Sequence, residues 1–154
     1  MKWITATDLK RWAPERDCQE NLPLLVRKLI RATSTKLSKI LFPAGDNILI
    51  SGWDGILETL ENTEYIPEGI SLWEFGATKD KKEKANKDFD KRSQESLSYD
   101  KASSTFVFVT PHIWSNKEDW IQEKKQLNIW KDIVVYDAEY LEEWIEIALP
   151  LELG

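Results

Sequence analysis

Residues 70–78 read ISLWEFGAT, a β-branched and aromatic run that predicts a strand, with one carboxylate, Glu74, inside it. A lone charge in an apolar strand costs free energy unless something pairs with it. Alternate strand residues share a face, so Glu74 points with Leu72, Gly76 and Thr78 and away from Trp73 and Phe75. A second isolated carboxylate, Asp54, lies in GWDG (52–55), at the end of a preceding predicted strand, NILISGWD (47–54). If the two strands are neighbours, Asp54 and Glu74 converge at one end of a sheet. Carboxylates that close repel, and either one takes up a proton or a divalent cation joins them. Read singly, Asp54 is also an ordinary turn former, and Glu74 an edge residue or an arginine's partner.

Working outward, LSKILF (37–42) reads as a strand and PAGD (43–46) as a turn, so 37–42 and 47–54 are expected to form a hairpin. A helix is expected from about Asp17 to Ala32, with Leu22, Leu25, Val26, Leu29 and Ile30 on one face. Pro23 fits that helix only in its first turn. ENTEYIPEG (61–69) reads as a loop, and 79–99 as a loop followed by a solvated helix with Ala85 and Phe89 at i, i+4. STFVFVT (104–110) is the clearest strand, ended by Pro111. A helix at about Lys117–Gln126, a strand IVVYD (133–137) and an amphipathic helix AEYLEEWIEIAL (138–149) complete the chain. In that last helix Leu141, Trp144, Ile145 and Ala148 share a face, and Asp137 is its N-cap. This order predicts an α/β domain with one mixed sheet: a leading meander, then parallel strands added by right-handed crossover, with helices on both faces in three α/β/α layers.

The chain has 154 residues, the size of one domain, with a formal net charge of -6. No apolar run approaches the roughly 20 residues of a membrane span. The N-terminus lacks the apolar core of a secretory signal, so the cytoplasm is the expected location. Cys18 and His112 are the only residues of their types, which argues against a disulfide framework, a cysteine-zinc cluster and His-rich metal sites. Any metal would be a hard cation on oxygen ligands, Mg²⁺ or Mn²⁺. Against the acidic total, residues 79–92 (KDKKEKANKDFDKR) hold seven basic and four acidic residues. Most of the eight tryptophans are expected in the core. Trp114, Trp120 and Trp130 are alternatively a surface for a protein partner.

The element order, with one acidic residue ending the second strand and another in the third, resembles the PD-(D/E)XK superfamily and its restriction-endonuclease-like fold. GWDG resembles the G-x-D-G of the Mrr-type branch. FPAGDNILISGWDG (42–55), SLWEFGATKDKKEKANKDFDKR (71–92) and TFVFVTPHIW (105–114) resemble an N-terminal nuclease module of large bacterial defence NTPase proteins. The resemblance covers nearly the whole chain, through short motifs. It implies that 1–154 is a single metal-dependent nuclease domain acting on DNA in anti-phage defence, cut from a longer chain with NTPase or sensor domains, homo-oligomeric and not membrane-bound. It implies further that Asp54 and Glu74 hold Mg²⁺ (or Mn²⁺).

The pattern's lysine, two residues after the acidic one, is here Gly76. One reading is that the lysine has migrated: Lys79 then orients the attacking water, with Lys82 and Lys84 able to reach from the next segment. The other is a degenerate site, in a domain that binds nucleic acid or a protein without cleavage. Lys82, Lys84, Lys91 and Arg92 are expected to meet the DNA backbone, with Arg27, Lys28 and Arg31 as a second patch. Glu20 is the first-helix acidic candidate by position, although Gln19 and Glu15 lie closer to the apolar face in phase. Asp46 reads as a turn residue and His112 as a loop or packing residue.

Overall fold

The computed structural model describes residues 5, 7–8, 11, 16–42, 52–61 and 63–148, apart from the side chains of 16, 17, 19 and 20. Four principal helices and five strands alternate as α1 (Arg16–Thr33), β1 (Leu37–Leu41), β2 (Gly55–Thr59), β3 (Gly69–Phe75), α2 (Lys81–Gln94), β4 (Ser104–Val109), α3 (Lys117–Lys125), β5 (Asp132–Tyr136) and α4 (Ala138–Ala148). The sheet order is β1-β2-β3-β4-β5. β1, β2 and β3 pair antiparallel, and β3, β4 and β5 pair parallel. This is the mixed α/β sheet, meander first and parallel strands second, that the element order predicts.

The second strand is displaced from its predicted place. β2 is GILET (55–59), which begins where NILISGWD was expected to end, and residues 43–51 lie outside the described residues. β1 pairs with it, from Leu37↔Thr59 to Leu41↔Ile56, while most of the expected partner strand 47–54 lies outside the described residues. GILET shows no alternation because both its faces are covered: Ile56 enters one core layer and Leu57 the other. Asp54 therefore immediately precedes β2 instead of ending it.

The two faces of the sheet carry separate cores. Leu57, Trp73, Val107 and Val109 face α1 and α4, where Cys18, Leu22, Val26, Leu29, Leu141 and Trp144 are buried. Ile56, Leu72, Phe106, Phe108, Ile133 and Val135 face α2 and α3, with Ala85, Phe89, Trp120 and Ile121. Pro23 falls well inside α1, not in its first turn. The lost backbone hydrogen bond is offset by the stripe Cys18, Leu22, Val26 and Leu29, which the helix must keep in phase to bury.

Trp114, Trp120 and Trp130 are buried in the second core and offer no aromatic surface. The second layer is tied to α2 and the residues just after it by indole N–H donors. Trp120 donates to Asn86 Oδ1 at 2.7 Å, Trp130 to Ser93 Oγ at 3.0 Å, and Trp53 to the Ser96 carbonyl at 3.2 Å. These bonds fix α2 on the sheet along its length. Asp137 is the expected cap of α4: Oδ1 accepts from Tyr140 N at 3.1 Å and from Lys117 Nζ at 2.8 Å, and Oδ2 from Trp114 N at 3.0 Å. Removing it abandons a cap and leaves two donors without their acceptor. Asp137→Ala is expected to cost on the order of 3 kcal/mol, measurable as a lower urea midpoint.

Candidate active site

Asp54 is stitched to β3 on either side of Glu74. Its N–H donates to the Trp73 carbonyl at 3.0 Å, and its Oδ2 accepts from Phe75 N at 2.8 Å. The β2–β3 register, with Gly55 opposite Trp73, places Asp54 across from Glu74. The convergence expected from sequence is therefore made, by strand pairing and not by loop closure. Glu74 is 4% exposed and faces α2 with Leu72.

Arg92 closes this pair from the last turn of α2. Its Nε donates to Glu74 Oε1 at 2.5 Å, its Nη2 donates to the Gly52 carbonyl, and its guanidinium lies 5.1 Å from the Trp53 ring centre. A Cβ at position 52 would fall 3.0 Å from both terminal guanidinium nitrogens, so the approach of the GWDG segment depends on glycine. Burial, and after it the negative charge of Asp54 and a hydrogen bond to Asp54, push the Glu74 carboxyl up to about 9, against the opposing pull of Arg92. Beside the Asp54 charge the protonated form of Glu74 is therefore favoured over the ionised one.

One turn back on α2, Lys84 Nζ donates to both oxygens of Asp88 at 2.8 Å. Lys84, Asp88 and Arg92 follow at i, i+4 and i+8 and form one stripe on the sheet-facing side. Burial raises the Asp88 carboxyl, Lys84 opposes this, and the charges of Asp54 and Arg92 both reach it. Asp54, Glu74, Asp88, Lys84 and Arg92 thus form one electrostatic cluster, at the end of the sheet where β3 leads into α2.

A Cβ on Gly76 would fall 2.6 Å from Lys84 Cγ and 2.7 Å from Phe108 Cζ. The stem of Lys84 occupies the space a side chain at 76 would need. Lys79, by contrast, is exposed in the 76–80 connection, and Lys82 and Lys91 are exposed on the outer side of α2. Arg92 is buried against Glu74 and is not a surface cation for DNA. Glu20 lies in α1, but its side chain is outside the described ones, and Glu15 and Asp46 lie wholly outside the described residues. His112 is structural: Nε2 bonds the Ala77 carbonyl at 2.9 Å and its own carbonyl accepts from Ala138 N.

Sequence reasoning missed Asp88 and the inward role of Arg92. The signal was the alternating charge at four-residue spacing beside the apolar pair Ala85 and Phe89. Among the described residues no group of three or more His, Cys, Asp or Glu side chains is arranged to hold a metal. Two carboxylates nevertheless suit Mg²⁺, which completes its shell with water and substrate oxygens. The raised Glu74 carboxyl beside Asp54 marks a place where added positive charge is favourable, so the donor set fits. No family model matches the chain, and no curated protein or solved structure matches it significantly.

Two outcomes follow. With Glu74 raised from 4.5 to about 9, the folded state binds more protons than the unfolded one between those values, so stability falls as pH rises through them. Glu74→Gln is expected to remove this dependence, gaining on the wild type by at most about 1.4 kcal/mol per pH unit in urea titrations. Gly76→Ala is expected to cost about 1–3 kcal/mol by overpacking against Lys84 and Phe108 in the same assay.

Proposed function

We propose that this domain is a metal-dependent nuclease that hydrolyses DNA phosphodiesters, acting as the effector part of a longer bacterial defence protein. The observation that carries this reading is buried Glu74 facing half-buried Asp54, with the Lys84 stem laid over Gly76. These are the two acidic positions and the displaced lysine of the resemblance, gathered at one end of a mixed sheet. Asp54 and Glu74 would hold Mg²⁺ or Mn²⁺, which when bound supplies charge stabilisation and an acidified water. Lys84 supplies a cation beside the pair for a phosphate oxygen or the attacking water. This replaces Lys79, which is exposed, in that role. Lys79, Lys82, Lys87 and Lys91 line the exposed side of the same segment and meet the DNA backbone by charge alone, which makes binding fall steeply with salt. Oligomerisation and attached NTPase or sensor domains belong to this proposal. Among the described residues, no helix is long and apolar enough to cross a membrane.

Arg92 favours a second reading. A guanidinium bonded to Glu74 already neutralises part of the site, as it would in a domain that keeps the fold and binds nucleic acid or a protein without cutting. Plasmid cleavage with Mg²⁺ or Mn²⁺ separates the two. The nuclease reading expects wild-type cleavage, a loss on the order of a hundredfold or more in Asp54→Ala, Glu74→Ala and Lys84→Ala, and near-normal rates in Lys79→Ala. A folded wild type that binds DNA but cuts with neither metal supports the second reading. Loss in Lys79→Ala with activity kept in Lys84→Ala overturns the lysine assignment.

A further inference from the structure

We infer that Asp88 is the positioning residue for Lys84, holding its ammonium at the inner face of α2 beside the Asp54–Glu74 pair. The inference rests on the nuclease reading and deepens it. Both Asp88 oxygens accept from Lys84 Nζ at 2.8 Å, so the ammonium is held by two bonds and not by one. The Lys84 side chain is 33% exposed and the Asp88 side chain 10%. The pair is thus open to an arriving substrate on the lysine side and closed on the aspartate side.

Helix stability does not account for this arrangement. An i, i+4 Lys–Asp pair on a solvent face contributes only a few tenths of a kcal/mol, about 0.3–0.5. It gains nothing from burying the carboxylate, which loses hydration. Asp88 adjoins Phe89 on the core-facing side of α2, where an apolar residue would pack at no such cost. The carboxylate is instead within reach of the charges of Asp54 and Arg92. The charged groups of the cluster are Asp88 and Arg92 on the helix itself, Asp54 ahead of β2 and Glu74 on β3. From β4 the Phe108 ring lies at the Gly76 position that the Lys84 stem also borders. In that setting a lone ammonium has three carboxyls to choose from. The two-oxygen grip of Asp88 keeps Lys84 off Asp54 and Glu74, which the cation needs, while the Lys84 stem stays at the Gly76 position, two residues along from Glu74.

The test combines kinetics and side-chain NMR on wild type, Asp88→Asn, Asp88→Glu, Lys84→Ala and the Lys84→Ala/Asp88→Asn double variant. Asp88→Asn is expected to lower kcat for plasmid cleavage on the order of tenfold to a hundredfold with KM within about twofold. Asp88→Glu is expected to recover most of that loss. On the Lys84→Ala background, Asp88→Asn is expected to add nothing, because it acts through the lysine. In ¹⁵N spectra the Lys84 ammonium is expected to be ordered in wild type and to become mobile in Asp88→Asn. An unchanged kcat in Asp88→Asn, additive losses in the double variant, or an equally ordered ammonium without Asp88 would each overturn the inference. If the wild type does not cut, the nuclease reading fails by itself, and the ammonium spectra still decide whether Asp88 holds Lys84.

Discussion

A buried carboxyl, Glu74, set beside a half-buried one, Asp54, does not ionise easily without help, and much of this fold is arranged around supplying that help. Asp54 is bonded to β3 on both sides of Glu74, so strand pairing itself forces the acids together. Arg92, a proton and, in the proposed function, a divalent cation are three ways of meeting the same deficit of positive charge. Arg92 does not suffice alone: it is divided among Glu74, the Gly52 carbonyl and the Trp53 ring, and Glu74 remains raised to about 9. A site with an unmet need for positive charge is suited to a cation that comes and goes, and this is the physical content of the metal proposal.

The second core layer sets the geometry of the rest. Arg92 reaches Glu74, and Asp88 comes within range of the Asp54 charge, only if α2 is held at one rotation and one height over the sheet. The indole bonds from Trp120, Trp130 and Trp53 to Asn86, Ser93 and Ser96 hold it there, and Phe89 and Ala85 supply the apolar contact. The Phe89 ring packs edge-on against Phe106 at 5.4 Å and Trp120 at 5.9 Å. The tryptophans that look like a binding surface in sequence are thus the scaffold that aims the charged stripe. Function and packing meet again at Gly76, whose missing side chain is the room used by Lys84.

The strong periodic signals were legible. β4, β5, α3 and α4 lie within a residue or two of their predicted places, β3 begins one residue early and ends three short, and the Asp137 cap was readable from its position before an amphipathic run. β2 was not, because a strand covered on both faces shows no alternation, and NILIS is as strand-like in sequence as GILET. The interior proline of α1 was misplaced because tertiary burial outweighed a local penalty. At the site, Asp54 and Glu74 were legible as isolated charges in apolar surroundings. Lys84 could not be chosen over Lys79 from spacing, since the choice depends on which side of α2 faces the sheet. Asp88 and Arg92 were hidden in a segment that reads as solvated surface, where charge at four-residue spacing has an ordinary explanation.

The central claim, that burial and the Asp54 charge together raise Glu74, is tested most directly by ¹³C NMR titration of the Glu74 carboxyl in wild type and in Asp54→Asn. The account predicts a wild-type midpoint near 9 that falls clearly when the Asp54 charge is removed. A midpoint in the ordinary carboxylate range near 4.5, unchanged in Asp54→Asn, would contradict it: Arg92 alone would then satisfy Glu74, and the pair would have no standing need for a cation.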